Sequence, residues 1–310
     1  MKKDISKKYE MGQSVTSNYA GEAASGYISA ALLSNPTIAN NEITVLNNVT
    51  YKANLRKITV AGAAGNLMAD NTCAFTDSGT VTYAERVLTP KKLDVNTQIC
   101  KAEFLQSWEG ANMTAGLNGT LPVEFADYIL GQTAERVSQE IQQSIWNGDA
   151  ATDGQFAGFQ GLLAADGDVV DVAGTVLNAG NIVDELDKVV AAIPAAVYGK
   201  DDLKIWIPTT ALQFYIQSQA TLGYINRYNM GTDFPLSFNG IQVCHAPGLS
   251  ADRMVAGRTS NMFFGTDGST SEVRLLDMAE LDGSDHVRII MRFNAGVNYA
   301  FGSDMVYYAS

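Results

Sequence analysis

Two histidines and three cysteines are the side chains through which this 310-residue chain could carry out nucleophilic or metal chemistry. A serine or cysteine nucleophile needs a base within hydrogen-bond reach and a third group to orient that base. His245 and His286 lie in separate strand-like segments with no carboxylate motif beside them, and no GxSxG elbow occurs. Cys244 directly precedes His245, and neighbours in a strand point to opposite faces, so the two do not form a pair. Cys73, Cys100 and Cys244 are odd in number and widely spaced, without CxxC or CxxH spacing. That pattern supports neither a zinc site nor a disulfide framework, and reduced thiols are expected.

The phosphate- and cation-binding motifs are weak too. The Gly-rich stretch Gly148 to Gly161 lacks the GxxxxGK[ST] spacing and its lysine, and it follows a helical pattern where a phosphate loop follows a strand. Asp166, Asp168 and Asp171 loosely suggest a calcium loop, but the regular ligand spacing, the glycine at position 6 and the terminal glutamate are missing. Asp277, Glu280 and Asp282 form a second acidic cluster, and both clusters read as solvated loops. Tyr224, Asn226, Arg227 and Tyr228 cluster residue types enriched at interface hot spots. The expectation is therefore no catalytic residue, no cofactor-binding residue, no metal ligand and no cofactor.

The elements that would position these residues are clearer than the chemistry. Hydrophobic residues make up 46% and charged residues 17%, a folded-protein composition with enough apolar mass for one large core or two modest ones. Residues 1 to 45 are small and polar, with turn signals at Asn35-Pro36 and Asn40-Asn41, and read as an extended arm with one short helix over Ala20 to Leu33. Val49, Tyr51, Ala53 and Leu55 alternate with polar residues, and so do Val81, Tyr83 and Val87. The two runs predict a long two-stranded ribbon around a Gly-rich turn ending at Asp77-Ser78-Gly79. Such a ribbon is marginal alone and needs packing, which another subunit could supply.

Thr120-Leu121-Pro122 opens the strongest helix pattern. Phe125, Ile129, Val137, Ile141 and Ile145 make one stripe, and Asn147-Gly148 stops it. A second helix covers Ile182 to Ile193, and a buried strand covers Leu203 to Ile207. A further helix begins at Thr209, and short strands dominate after Gly240. The most regular alternation in the chain runs from Val287 through Ile289, Met291, Phe293, Ala295, Val297 and Tyr299 to Phe301. This is an α+β chain.

Charge sets limits on partners. The formal net charge is −12, from 21 Lys+Arg against 33 Asp+Glu. A nucleic-acid reader needs surplus cations to neutralise phosphates, so sequence-specific DNA binding is not expected. No apolar segment follows the N-terminal lysines and none approaches ~18 uninterrupted residues, so neither a signal peptide nor a membrane span is expected.

The order of elements resembles the Hong Kong 97-type major capsid protein of tailed bacteriophages: N-terminal arm, extended β-ribbon loop, long spine helix, mixed α/β axial domain and long C-terminal strand. Arg86 to Leu93 (RVLTPKKL) is similar to the segment by which that family returns from its extended loop. Trp146 to Asp149 with Phe156 to Leu163 (FAGFQGLL) resembles its turn after the spine helix, although Phe159-Gln160 stand where a proline is usual. Lys204 to Leu212 and Asn239 to Pro247 are similar to its strand-to-helix step and a following strand. The resemblance covers residues 45 to 310.

It implies an arm over 1–45, a ribbon loop over 46–95 and a peripheral domain with the spine helix over 96–165, completed by about 286–300. An axial domain over 166–285 and a C-terminal end over 301–310 follow. It further implies a non-enzymatic subunit that self-assembles into pentamers and hexamers of an icosahedral shell around phage double-stranded DNA. Portal, decoration and scaffold proteins are the implied partners. The scaffold is expected to be a separate protein, because no long charged helical segment precedes the arm. Assembly would occur in the bacterial host cytoplasm, with the product in the virion capsid. The alternative is an encapsulin, a nanocompartment shell of similar fold that packages a cargo enzyme.

Overall fold

A computed structural model describes residues 35–61, 80–100, 123–221, 236–267, 272–280 and 283–310. The expected helix over Ala20 to Leu33, the ribbon's turn and the Tyr224–Tyr228 cluster lie outside them.

The chain enters through a single helical turn, α1 (Pro36–Ala39), whose N-cap Asn35 accepts from the Ile38 N–H, and then β1 (Thr44–Leu46). The ribbon follows as β2 (Ala53–Ala61) and β3 (Thr80–Leu88), in antiparallel register from Ala53 opposite Leu88 to Ala61 opposite Thr80. It begins later than the sequence suggests: Val49 is buried and Tyr51 exposed before the strand starts. After Pro90 comes β4 (Lys91–Cys100), then the spine helix α2 (Val123–Asn147). Its 25 residues span about 37 Å at 1.5 Å per residue.

Ile129, Val137, Ile141 and Ile145 bury the expected stripe of α2, and Leu130, Ala134 and Trp146 widen it. Gln142 is a polar residue on the inner side of the helix. It is buried, and its Nε2 donates to Thr37 Oγ1 at 2.7 Å, beside the Trp146 Nε1 bond to the same oxygen at 3.1 Å. The helix stops at Gly148, where a Cβ would lie 2.2 Å from the Phe156 carbonyl oxygen, so the turn into α3 (Phe159–Ala164) closes only around a glycine.

Beyond α3 lie β5 (Val170–Ala173), α4 (Ile182–Ala192), β6 (Leu203–Ile207) and α5 (Thr209–Thr221). Next are β7 (Ser237–Phe238), β8 (Ile241–His245), β9 (Arg253–Arg258) and β10 (Met262–Thr266). The chain ends with β11 (Glu272–Asp277), β12 (His286–Tyr299) and β13 (Val306–Ala309).

Two sheets organise these strands. In the first, one edge of β12 pairs with β4 and the other with β11 and then β10, which in turn holds β1 in parallel. In β12 every second residue from Val287 to Tyr299 is buried, whereas Arg288 and Arg292 are exposed. The strand ends at Tyr299, so Phe301 falls outside the expected alternation. Strands β10 and β11, which lie within residues 166–285, hydrogen-bond in this sheet with β12. Sheet membership follows pairing partners rather than chain order.

The second sheet runs β5-β13-β9-β6-β8-β7. Both its faces are covered, which explains its near-continuous apolar strands. Leu203, Ile205 and Ile207 point toward α4 and α5, and Trp206 points to the core shared with α2 and the first sheet. Trp146, Phe159 and Trp206 meet there with ring centroids 5.7 and 5.8 Å apart.

Candidate functional site

The ribbon places its two faces in different surroundings. Register puts Ala53, Leu55, Arg86 and Leu88 on one face and Ile58, Val81, Tyr83 and Val87 on the other. On the first face Leu55 and Leu88 are buried with Val49 and Ala300 against the body. On the second face Ile58 is 57% exposed, Val81 47%, Tyr83 73% and Val87 41%. The alternation that normally signals a buried face here leaves four large apolar side chains in solvent. The same face carries the Arg56–Glu85 ion pair, 3.6 Å apart, between Val87 and the Ile58, Tyr83 and Val81 group, and exposed apolar groups rimmed by polar residues in this way mark interaction surfaces.

A polar cluster holds the ribbon's base. Arg86 Nη2 lies 2.6 Å from Asp166 Oδ2, and the Tyr299 hydroxyl donates to the same oxygen at 2.7 Å. The Arg86 guanidinium sits over the Tyr299 ring, 4.2 Å from its centroid. Burial opposes ionisation of Asp166, but the bonds from Tyr299 and Arg86 outweigh it and hold its carboxyl below the ordinary range. Burial and Asp166 push the Tyr299 phenol upward, so it stays protonated as a donor. Asn298 Nδ2 reaches the Val87 carbonyl at 2.8 Å, and Lys91 Nζ reaches the Ala150 and Thr152 carbonyls at 3.2 Å. Asp166 is thus an anchor rather than part of a solvated loop, whereas Asp168 and Asp171 are exposed. No local motif announces this cluster, because its members lie 80 and 133 residues apart.

The other candidates disperse. Cys244 is buried and His245 exposed at the end of β8, on opposite faces as strand geometry requires. Burial and the adjacent Glu42 carboxyl push the Cys244 thiol up to about 12. The partner of His245 is instead Thr209, with Oγ1 to Nε2 at 2.9 Å, and burial holds the imidazole below its ordinary value. His286 stands in register with Cys100 across β12 and β4, more than an element away from His245. The Gly148–Gly161 stretch is the tight turn from α2 into α3, with Gly158 N–H donating to the Gly148 carbonyl at 2.9 Å. Asp277 caps a 3₁₀ turn through the Ala279 N–H. Among the described residues no cluster of three His, Cys, Asp or Glu side chains is arranged to hold a metal, and no helix is long and apolar enough to cross a membrane.

A ribbon leaving at the base of a long strand, a spine helix across the sheet that strand centres, and a second helix-covered sheet together define the Hong Kong 97-type capsid fold. Solved structures share it across almost the whole chain. A chain of the satellite phage P4 procapsid, in a structure that includes the size determination (Sid) protein, matches with a TM-score of 0.57 at 11% identity, covering 92% of this chain and 96% of its own. A chain of the native GTA particle capsid matches at 0.58 and 14%, covering 91% of each. The virus-like particle from Pyrococcus furiosus matches at 0.53 and 9%, covering 93% of this chain and 98% of its own. No family model and no curated protein matches the sequence.

Proposed function

We propose that this chain is the major subunit of a closed icosahedral shell, built of pentamers and hexamers around phage double-stranded DNA. Its work is geometric rather than catalytic. The observation that carries this reading is the ribbon's outer face, where Ile58, Val81, Tyr83 and Val87 are exposed on a capsid fold and no described residue of the chain covers them. A second copy is the occupant that a repeated subunit always has available, and closed symmetry then follows from one repeated contact. Obligate contacts of this kind bury roughly 2,000 Å² or more. The net charge of −12 suits a container that does not adhere to its polyanionic contents. Portal, scaffold and decoration proteins, assembly in the host cytoplasm and residence in the virion complete the proposal.

The likeness to the Pyrococcus furiosus virus-like particle favours a second reading, a nanocompartment shell that packages a cargo enzyme. Negative-stain electron microscopy with light scattering on the chain expressed alone tests the shell itself. Closed particles or capsomer rings are expected, and Tyr83→Asp should leave a folded 33.2 kDa subunit that does not assemble. A wild-type chain that stays monomeric even with a candidate scaffold, or a Tyr83→Asp variant that forms normal shells, would overturn the proposal. Nucleic acid or a cargo enzyme inside particles from the native source separates the two readings.

A further inference from the structure

The ribbon meets the body through a small set of contacts at its base, and those contacts differ in what they constrain. Leu55 and Leu88 form an apolar plug with Val49 and Ala300. Such packing is non-directional and tolerates rotation of one surface over another. The polar cluster is directional. Arg86 is fixed in two ways at once, by a charged hydrogen bond from Nη2 to Asp166 Oδ2 at 2.6 Å and by its guanidinium lying 4.2 Å from the Tyr299 ring centroid. A planar guanidinium satisfies both only in one orientation. Its two anchors belong to separate parts of the body: Asp166 follows α3, and Tyr299 closes β12. Tyr299 also links them, since its hydroxyl bonds Asp166 and lies 3.2 Å from the Leu162 carbonyl. Ring and carboxylate therefore present Arg86 with one rigid socket.

We propose that Arg86, Asp166 and Tyr299 form a latch that fixes the direction in which the ribbon leaves the body, and that this direction sets the curvature of the assembled shell. The second half rests on the shell reading above. A ribbon that clasps a neighbouring copy transmits its own angle to the angle between subunits, so a loosened latch permits several curvatures. Arg86, Asp166 and Tyr299 are positioning residues in this scheme, and the apolar face makes the contact.

The latch is tested on the unassembled chain, by pulsed electron paramagnetic resonance between non-cysteine spin labels replacing Thr82 on β3 and Gln132 on α2, both exposed. Arg86→Ala and Asp166→Asn should each at least double the width of the distance distribution. Arg86→Lys, which keeps the charge but loses the stacking plane, should broaden it less. Tyr299→Phe, which keeps the ring and loses the hydroxyl, is also expected to be intermediate and guards against a variant that fails to fold. Distributions as narrow as wild type in Arg86→Ala and Asp166→Asn would sink the latch. Particle diameters by electron microscopy test the second half. Arg86→Ala should give mixed diameters or open sheets, and uniform wild-type shells from a chain with a broadened ribbon would overturn the link to curvature. Should the wild-type chain form no shells, the proposed function fails, and the label distances still decide the latch.

Discussion

Glu42 and Glu185 are both buried, yet they titrate in opposite directions, because their partners differ in kind. Burial opposes ionisation of Glu185, but bonds from Lys188 Nζ at 2.9 Å, Thr175 Oγ1 at 2.8 Å and the Tyr308 hydroxyl at 2.9 Å outweigh it. Its carboxyl is held below the ordinary value. Glu42 faces neutral donors, Trp206 Nε1 at 3.1 Å and Asn40 Nδ2 at 3.4 Å, beside the Cys244 thiol, with Lys204 the nearby cation. Burial wins there and raises its carboxyl. A raised carboxyl contributes stability that is present below the unfolded-state value of about 4.3 and is lost as pH rises through the folded-state value. Glu42→Gln should therefore raise the denaturant midpoint at pH 8, with the gain shrinking toward pH 4. Parallel wild-type and variant pH profiles would refute the assignment. Glu185 has the opposite sign: its contribution is present above about 4.3 and fades as pH falls. Tyr308→Phe, which removes one neutral donor from that cluster, should cost about 1 kcal/mol in equilibrium unfolding at pH 7.

The spine helix and the ribbon represent two kinds of element. The spine is stabilised by tertiary burial at its C-terminal end, where Trp146 meets Phe159, Trp206 and the Thr37 hydroxyl. Trp146→Ala should cost about 3–5 kcal/mol in urea unfolding. Gly148→Ala, two residues on, forces the backbone apart and should cost about 1–3 kcal/mol despite adding only a methyl group. The ribbon is held by its own ladder and by its base. Ala61 and Thr80 are register partners, so replacing residues 62–79 by Asn-Gly, a turn that matches strand twist, should close the hairpin without disturbing the body. That chain should keep the wild-type urea midpoint and yield fewer or malformed particles. A large fall in midpoint would place the ribbon's far end within the folding core.

At the scale of the molecule, assembly sets apolar gain against charge repulsion. Each subunit carries a formal net charge of −12, and the face proposed to join copies exposes four large apolar side chains beside the Arg56–Glu85 ion pair. Added salt shortens the Debye length from about 10 Å at 0.1 M toward 3 Å at 1 M, and sulfate strengthens apolar burial. Light scattering should therefore show assembly rising with sodium chloride and rising further with ammonium sulfate at equal ionic strength. Assembly weakened by salt would mean that ion pairs, not the ribbon's apolar face, dominate the contact.

Local pattern made much of the architecture legible. The helix over Ile182–Ala192, the strand over Leu203–Ile207 and the alternation of β12 stand where the periodicities put them, within a residue or two at their ends. These signals depend on near neighbours along the chain and survive in any fold that buries one face. Pairing is different. Met262–Thr266 and Glu272–Asp277 join the first sheet, and Val306–Ala309 the second, because their partners are distant in sequence. The alternation of Val81, Tyr83 and Val87 announced a strand, but nothing in it could tell that its apolar face would stay in solvent. Arg86, Asp166 and Tyr299 carry no shared motif, and only the folded chain brings them within bonding distance. Periodicity is set by backbone geometry and is written residue by residue; partnership and exposure are set by which surfaces meet, and that is decided in three dimensions.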